Sequence, residues 1–141
     1  MTFGTYNKKI KPQRTSFDWL SRDNEQVDKY IDDKYCGFLF TACGYRDLFS
    51  LLRYVSVKSW YKGVRKNLPI LLISGAADPV GEYGSGVKQV AAELKKSGHG
   101  DVELKLYKDS RHELLNDFDK QTVMNDILNW LDCKTEAKKP N

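Results

Sequence analysis

The sequence predicts an α/β fold, a parallel sheet flanked by helices and preceded by a helical cap, and three observations carry that expectation. Ile70, Leu71, Leu72 and Ile73 form an unbroken apolar run, which suits a strand covered on both faces. After this run the residue pattern switches from helix period to strand period and back, as in an α/β domain. The aromatic residues crowd the first part of the chain: beyond residue 61 only Tyr83, Tyr107, Phe118 and Trp130 occur. The expected division is therefore a lead-in and cap segment over residues 1–61 and a sheet-bearing part over residues 62–141.

Taken in order, residues 1–16 are polar and basic, with Gly4 and Pro12, and no regular element is expected there. In FDWLSRDNEQVDKYIDDKY, Val27, Tyr30 and Ile31 fall on one helical face, with Ser21 or Asp23 as N-cap. Cys36 to Gly44 holds Phe38, Phe40 and two glycines and reads as an irregular loop. A second helix is expected from about Tyr45 to Val55, because Leu48, Leu51, Leu52 and Val55 recur at helical spacing. Pro69 stands at the entrance of the apolar strand, where a missing N–H does least harm. Gly75, Ala76, Ala77, Asp78, Pro79 and Gly81 then allow a tight turn around one carboxylate. Ser85 to Ser97 carries Val87, Val90, Ala91 and Leu94 at helical spacing and ends in lysines followed by Gly98. Val102 to Tyr107 alternates strictly, predicting a strand with one wet face near a sheet edge. The loop KDSRHELLNDF leads into a helix from about Asp119 to Cys133, and the tail KTEAKKPN is expected to fray. An interior strand normally has a neighbour along each edge, yet only one other strand is offered. Part of the sheet is therefore expected to be absent.

Composition narrows the function classes. A chain of 141 residues reads as one domain with a sizeable core. Its net charge of +4 is spread too diffusely for a nucleic-acid surface, and the basic stretch Lys58 to Lys66 is interrupted by Trp60, Tyr61 and Val64. Cys36, Cys43 and Cys133 fall in no CxxC spacing and read as ordinary intracellular thiols. MTFGTYNKKIKP has no apolar leader core, and no apolar run approaches a membrane span. A soluble cytoplasmic protein without cofactor or metal is expected.

Only two histidines are present, and topology separates them. In a parallel β-α-β unit both strands end on one sheet edge, the edge where ligands collect in open α/β sheets. The loops holding Asp78 and His112 follow the two strands and share that edge. His99 precedes its strand and belongs at the opposite edge. Asp78 and His112 thus form a candidate acid and base pair, the carboxylate fixing the imidazole tautomer and the imidazole taking a proton from a nucleophile. The alternative is a capping Asp and a loop His that never meet. Asp109 and Asp117, in the histidine's own loop, are rival acids, although local hydrogen bonding is the commoner use of such residues. No nucleophile is evident. The GxSxG elbow is absent, Ser74 lies at the end of a strand, and Ser85 follows Tyr83-Gly84 in the wrong pattern. Gly81, Gly84 and Gly86 make only a reversed GxGxxG, a weak phosphate cradle.

A strand ending in SGxxDPVG, then a helix, an alternating strand, an RHExLN loop and an amphipathic helix resembles the C-terminal part of the α/β-hydrolase fold. More narrowly it is similar to serine hydrolases of the monoacylglycerol lipase and lysophospholipase group. YNKKIKP, RTSFDWLSRD and CGFLFTACGYRDL resemble the cap region of that group. Ala77 and Lys34 depart from its pattern in minor ways. The resemblance implies Asp78 as triad acid, His112 as base and residues from about 10 to 60 as a cap over an acyl pocket. The aromatic skew adds Phe38, Phe40, Tyr45 and Phe49 as partial lining of a substrate cleft. The implied activity is hydrolysis of small-molecule or lipid carboxylic esters. The family's early strands, oxyanion loop and GxSxG serine have no counterpart, so a fragment starting at an internal Met is expected. Its partners would then be the missing N-terminal half or a second copy. A non-catalytic module that completes its sheet with another polypeptide is the alternative.

Overall fold

The computed structural model describes residues 3–57 and 59–136. Residues 1 and 2 of the lead-in, Lys58 of the basic stretch and residues 137–141 of the tail lie outside them. The sheet consists of β1 (Ile70–Gly75) and β2 (Val102–Tyr107), paired in parallel with Ile70 opposite Val102 and Gly75 opposite Tyr107. Between them runs α3 (Ser85–Lys96), and α4 (Lys120–Glu136) follows. Alternation along the strands sends the two sets of side chains to opposite layers. On one face Val102 packs with Ala91 and Leu94 of α3, joined by Ile70, Leu72, Leu104, Trp60 and Tyr61. On the other, Tyr107 packs with Leu114 and the fully buried Val123 of α4, joined by Ile73 and Ile127. This is why the apolar run is continuous: each face of β1 meets a helix. Among the described residues β1 pairs with no strand but β2, so its second edge has no strand partner there.

The second face of β2 is wet at Glu103 and Lys105, as alternation predicts, and only Tyr107 is buried on it. That face meets α4 in a polar interface: Lys105 pairs with Asp126 at 2.6 Å, the Trp130 indole donates to Glu103 at 3.0 Å, and Lys134 reaches Asp101 and Glu103. The long charged stems cover the sheet while their heads pair with the helix. Tyr107 joins them by donating its hydroxyl to Asp126 at 2.8 Å, and burial with that carboxylate raises the phenol pKa well above its ordinary value. Here alternation reported both polarity and exposure at Glu103 and Lys105, and only the pairing with α4 lay beyond it.

The first part of the chain is also more ordered than its composition suggests. A 3-10 turn spans Phe3–Lys9. The next helix, α1 (Asn24–Asp32), starts only after Asp23, whose side chain caps Glu25 N, because residues 14–23 are engaged elsewhere. α2 (Ala42–Val55) begins earlier than its apolar stripe, at a Thr41 cap that accepts from Gly44 N. None of its residues is buried; Leu51, Leu52 and Val55 are exposed, without a covering element among the described residues. α4 continues three residues past Cys133. No helix among the described residues is long and apolar enough to cross a membrane.

Candidate active site

Both strands of the sheet end at the same edge, and the loops that leave them are tied together by backbone. Ala76 N donates to Tyr107 O at 2.8 Å and Ala77 N to Ser110 O at 3.0 Å. Gly75 makes this approach possible, since a Cβ there would collide with the carbonyl oxygens of Ser110 and Arg111. The chain beyond Gly75 turns around Asp78, whose Oδ1 accepts from Val80 N at 2.8 Å and whose carbonyl accepts from Tyr83 N at 2.8 Å. Glu82 and Tyr83 hold left-handed φ of 51° and 56°, a strained pair for residues with side chains. The Lys9 ammonium sits 3.6 Å from the centre of the Tyr83 ring and braces it.

The free oxygen of that carboxylate meets the histidine loop. Asp78 Oδ2 lies 3.1 Å from His112 Nδ1. A carboxylate only accepts, so Nδ1–H donates, and the neutral ring carries its lone pair on Nε2. No hydrogen-bond partner for Nε2 occurs among the described residues. Asp78 is buried, at 6% exposure, while 38% of the His112 side chain is exposed. The hydrogen bond to Asp78 raises the imidazole pKa above its ordinary value, against the opposing pull of burial. The pair is thus set to take a proton at Nε2 and to stabilise the resulting imidazolium.

A third segment packs against the pair. Trp19 O accepts from His112 N at 3.4 Å and Leu20 O from Glu113 N at 2.8 Å, and the Trp19 ring lies 5.1 Å from the imidazole, centre to centre. The Arg111 guanidinium donates to the carbonyls of Asp18 and Ser21 at 2.6 and 2.8 Å. Arg22 pairs with Asp117 at 2.7 Å and with Asp119 at 2.5 Å. Asp117 is therefore spent on Arg22, on Arg111 N and on Phe118 N. Asp109 is exposed, so neither rival acid contacts the histidine. Trp19, Arg22, Ser110 and Arg111 escape a reading of local pattern because their partners lie some 88 to 97 positions away.

Beside Trp19 opens a cleft of about 490 Å³, walled by Phe17, Trp19, Tyr30, Phe38, Phe40 and Tyr45 among others. Phe38, Phe40 and Tyr45 form successive edge-to-face pairs at 5.5 Å. Phe49 is not part of the wall; it stacks on Tyr45 with centres 6.1 Å apart. The Ser74 hydroxyl is buried and turned to its neighbour's carbonyl, and the Ser85 hydroxyl donates to Glu82 O. Neither is hydrogen-bonded to His112. His99 is 2% exposed and bonds Ser97, Leu94 O and Val64 O at the far edge, closing the turn after α3. Gly84, at φ +85°, caps α3 with Leu106 against its Cα. Among the described residues no cluster of His, Cys, Asp or Glu is arranged to hold a metal ion.

Comparison with known proteins agrees with this architecture. A family model described as serine aminopeptidase, S33, matches residues 2–119. The chain is similar to the crystal structure of a highly thermostable carboxyl esterase from Bacillus coagulans in complex with glycerol. The TM-score is 0.83 and the identity 29%, over 92% of this chain and 43% of that one. It is also similar to a lipase in its open form, with a TM-score of 0.79 and 30% identity over 89% of this chain and 41% of that one. This chain thus spans less than half the length of either structure. A search of curated proteins finds no match. With the model covering most of its length, the chain belongs to the serine aminopeptidase S33 family of α/β-hydrolase serine hydrolases.

Proposed function

We propose that this chain is the C-terminal portion of a serine hydrolase acting on carboxylic esters, of the lysophospholipase or monoacylglycerol lipase type. Residues 1–61 act as lead-in and cap, and residues 62–141 carry the acid and base loops of the core. The observation that carries the reading is the Asp78 to His112 hydrogen bond with Nε2 left unbonded among the described residues. In the reaction a serine hydroxyl from outside these 141 residues gives its proton to His112 Nε2 as its oxygen attacks the ester carbonyl. The imidazolium passes that proton to the departing alcohol, and water repeats the cycle to release the acid. Asp78 holds the ring and its charge. The aromatic cleft, with Phe38, Phe40 and Tyr45 in its wall and Phe49 behind, receives the apolar part of a small-molecule or lipid ester. A cytoplasmic location is supported by three unpaired cysteines.

A base without nucleophile and oxyanion donors has nothing to activate, so the chain alone is expected to be inactive. The test is turnover of a short-chain nitrophenyl ester by the chain and by His112→Ala, with fluorophosphonate labelling alongside. Equal background rates and no label support the reading. Saturable hydrolysis lost in the variant would place a nucleophile within the chain, Ser85 and Ser74 being first to check, and would overturn it. The edge of β1 without a strand partner among the described residues favours a second reading, a non-catalytic module whose sheet is completed by another polypeptide or a second copy. Sedimentation equilibrium showing a stable dimer that never labels, alone or with added partner, would favour that second reading.

A further inference from the structure

Arg22 stands at the centre of a network whose two ends reach the residues next to Asp78 and His112. Its Nε donates to Asp117 Oδ1 at 2.7 Å, and Asp117 Oδ2 accepts from Arg111 N, one residue before His112, at 3.1 Å. Its NH2 donates to Asp119 Oδ2, which also accepts from the Ser110 hydroxyl at 2.8 Å. Ser110 O in turn accepts from Ala77 N, one residue before Asp78. Ser110 and Asp117 are 0% and 1% exposed, so neither can turn to water if its partner is lost. We propose that Arg22 is a positioning residue that fixes the histidine loop against the aspartate loop and so sets the imidazole to carboxylate contact. The proposal rests on the reading of Asp78 and His112 as a working pair.

The sign of one measurable quantity separates positioning from plain charge. Deleting the Arg22 cation removes a positive charge and uncovers Asp117 and Asp119, and both field effects raise the pKa of a nearby imidazole. Loss of the Asp78 contact lowers it, since that hydrogen bond is the largest cause of its elevation. The other groups beside the ring, Glu113 and the Trp19 face, keep their charge and identity in an Arg22 variant. A downward shift in an Arg22 variant therefore comes from displacement and not from the missing charge.

The experiment is an NMR titration of the His112 ring protons in the full chain, assigned with His112→Gln, with the buried His99 signals and far-UV circular dichroism as controls of fold. For the native chain a His112 pKa above the ordinary 6.5 is expected. Arg22→Ala should lower it toward that value with His99 unmoved, and Arg22→Lys, which keeps the charge but loses the fork, should fall between. A folded Arg22→Ala whose His112 titrates at or above the native value overturns the positioning role. If Arg22→Ala does not fold, Arg22→Lys decides at constant charge, an unchanged pKa overturning the proposal. A native His112 that titrates without elevation would instead remove the working pair itself, a separate failure.

Discussion

Replacing Asp117 with Asn tests how much of the fold hangs on one carboxylate. Its Oδ1 accepts from Arg22 Nε and Phe118 N, both at 2.7 Å, and its Oδ2 from Arg111 N at 3.1 Å and Arg22 N at 3.4 Å. The side chain is 0% exposed. Asn keeps one acceptor and turns an NH2 toward two N–H donors, leaving two buried donors without partners at about 1–3 kcal/mol each. Breaking a buried ion pair costs about 3–5 kcal/mol; because Arg22 keeps Asp119, the lower end applies, about 3 kcal/mol. In urea, with a slope of about 2 kcal/mol per M for a domain of this size, the midpoint should fall by roughly 1.5 M. Tryptophan fluorescence and far-UV circular dichroism followed together would measure it, with the exposed Asp109→Asn as a control expected to leave the midpoint in place. A fall of less than about 0.3 M at unchanged slope would refute the reasoning, because it would mean that the buried donors find water or other partners.

Asp78→Asn should return the His112 pKa toward its ordinary value and change the pH dependence of stability. The folded pKa is raised, so protonation stabilises the native chain below the unfolded pKa and this contribution is lost as pH rises through the folded pKa. Thermal midpoints of the two chains should therefore differ most at acidic pH and converge above that window, the effect being modest because the ring is 38% exposed. Gly75→Ala should separate the two loops, since the new methyl collides with backbone carbonyls that cannot rotate away; a loss of at least about 1–3 kcal/mol by urea titration is expected, with the elevation of the His112 pKa lost.

The parts of this structure that were legible in the sequence are those encoded by neighbours. Strand β1, helix α3 and strand β2 declare themselves by apolar runs and periodicity, and their parallel order places Asp78 and His112 on one edge. The short backbone ties at Ala76 and Ala77 bring the two loops together, and the side chains meet at 3.1 Å. What stayed hidden is long-range. Asp117 was weighed only as a rival acid or a local hydrogen-bonding group and Arg22 carried no signal, because no spacing rule links residues 95 apart. The wet face of β2 was legible but its partners were not: Lys105 and Glu103 stay exposed, while α4 supplies Asp126, Trp130 and Lys134 to receive their heads. Of the two N-caps offered for the first helix, Asp23 is the one used, because Trp19, Leu20 and Ser21 bond the histidine loop instead of forming a helical turn.

The tie between residues 14–23 and 110–119 also bears on when the site comes into being. Ser21 bonds Asn116 across 95 residues, whereas β1 and β2 are joined within about 30, and closing the longer loop costs about 1 kcal/mol more in chain entropy. The β-α-β unit can nucleate from local contacts, and the strap over the histidine must then travel back across the whole chain to reach it. The contacts that Trp19 and Leu20 make with the histidine loop therefore form only once these two distant segments have converged, on top of the bond to Asp78 that the β-α-β unit supplies. The backbone brace on the histidine loop is thus the costliest part of this site to close in chain entropy.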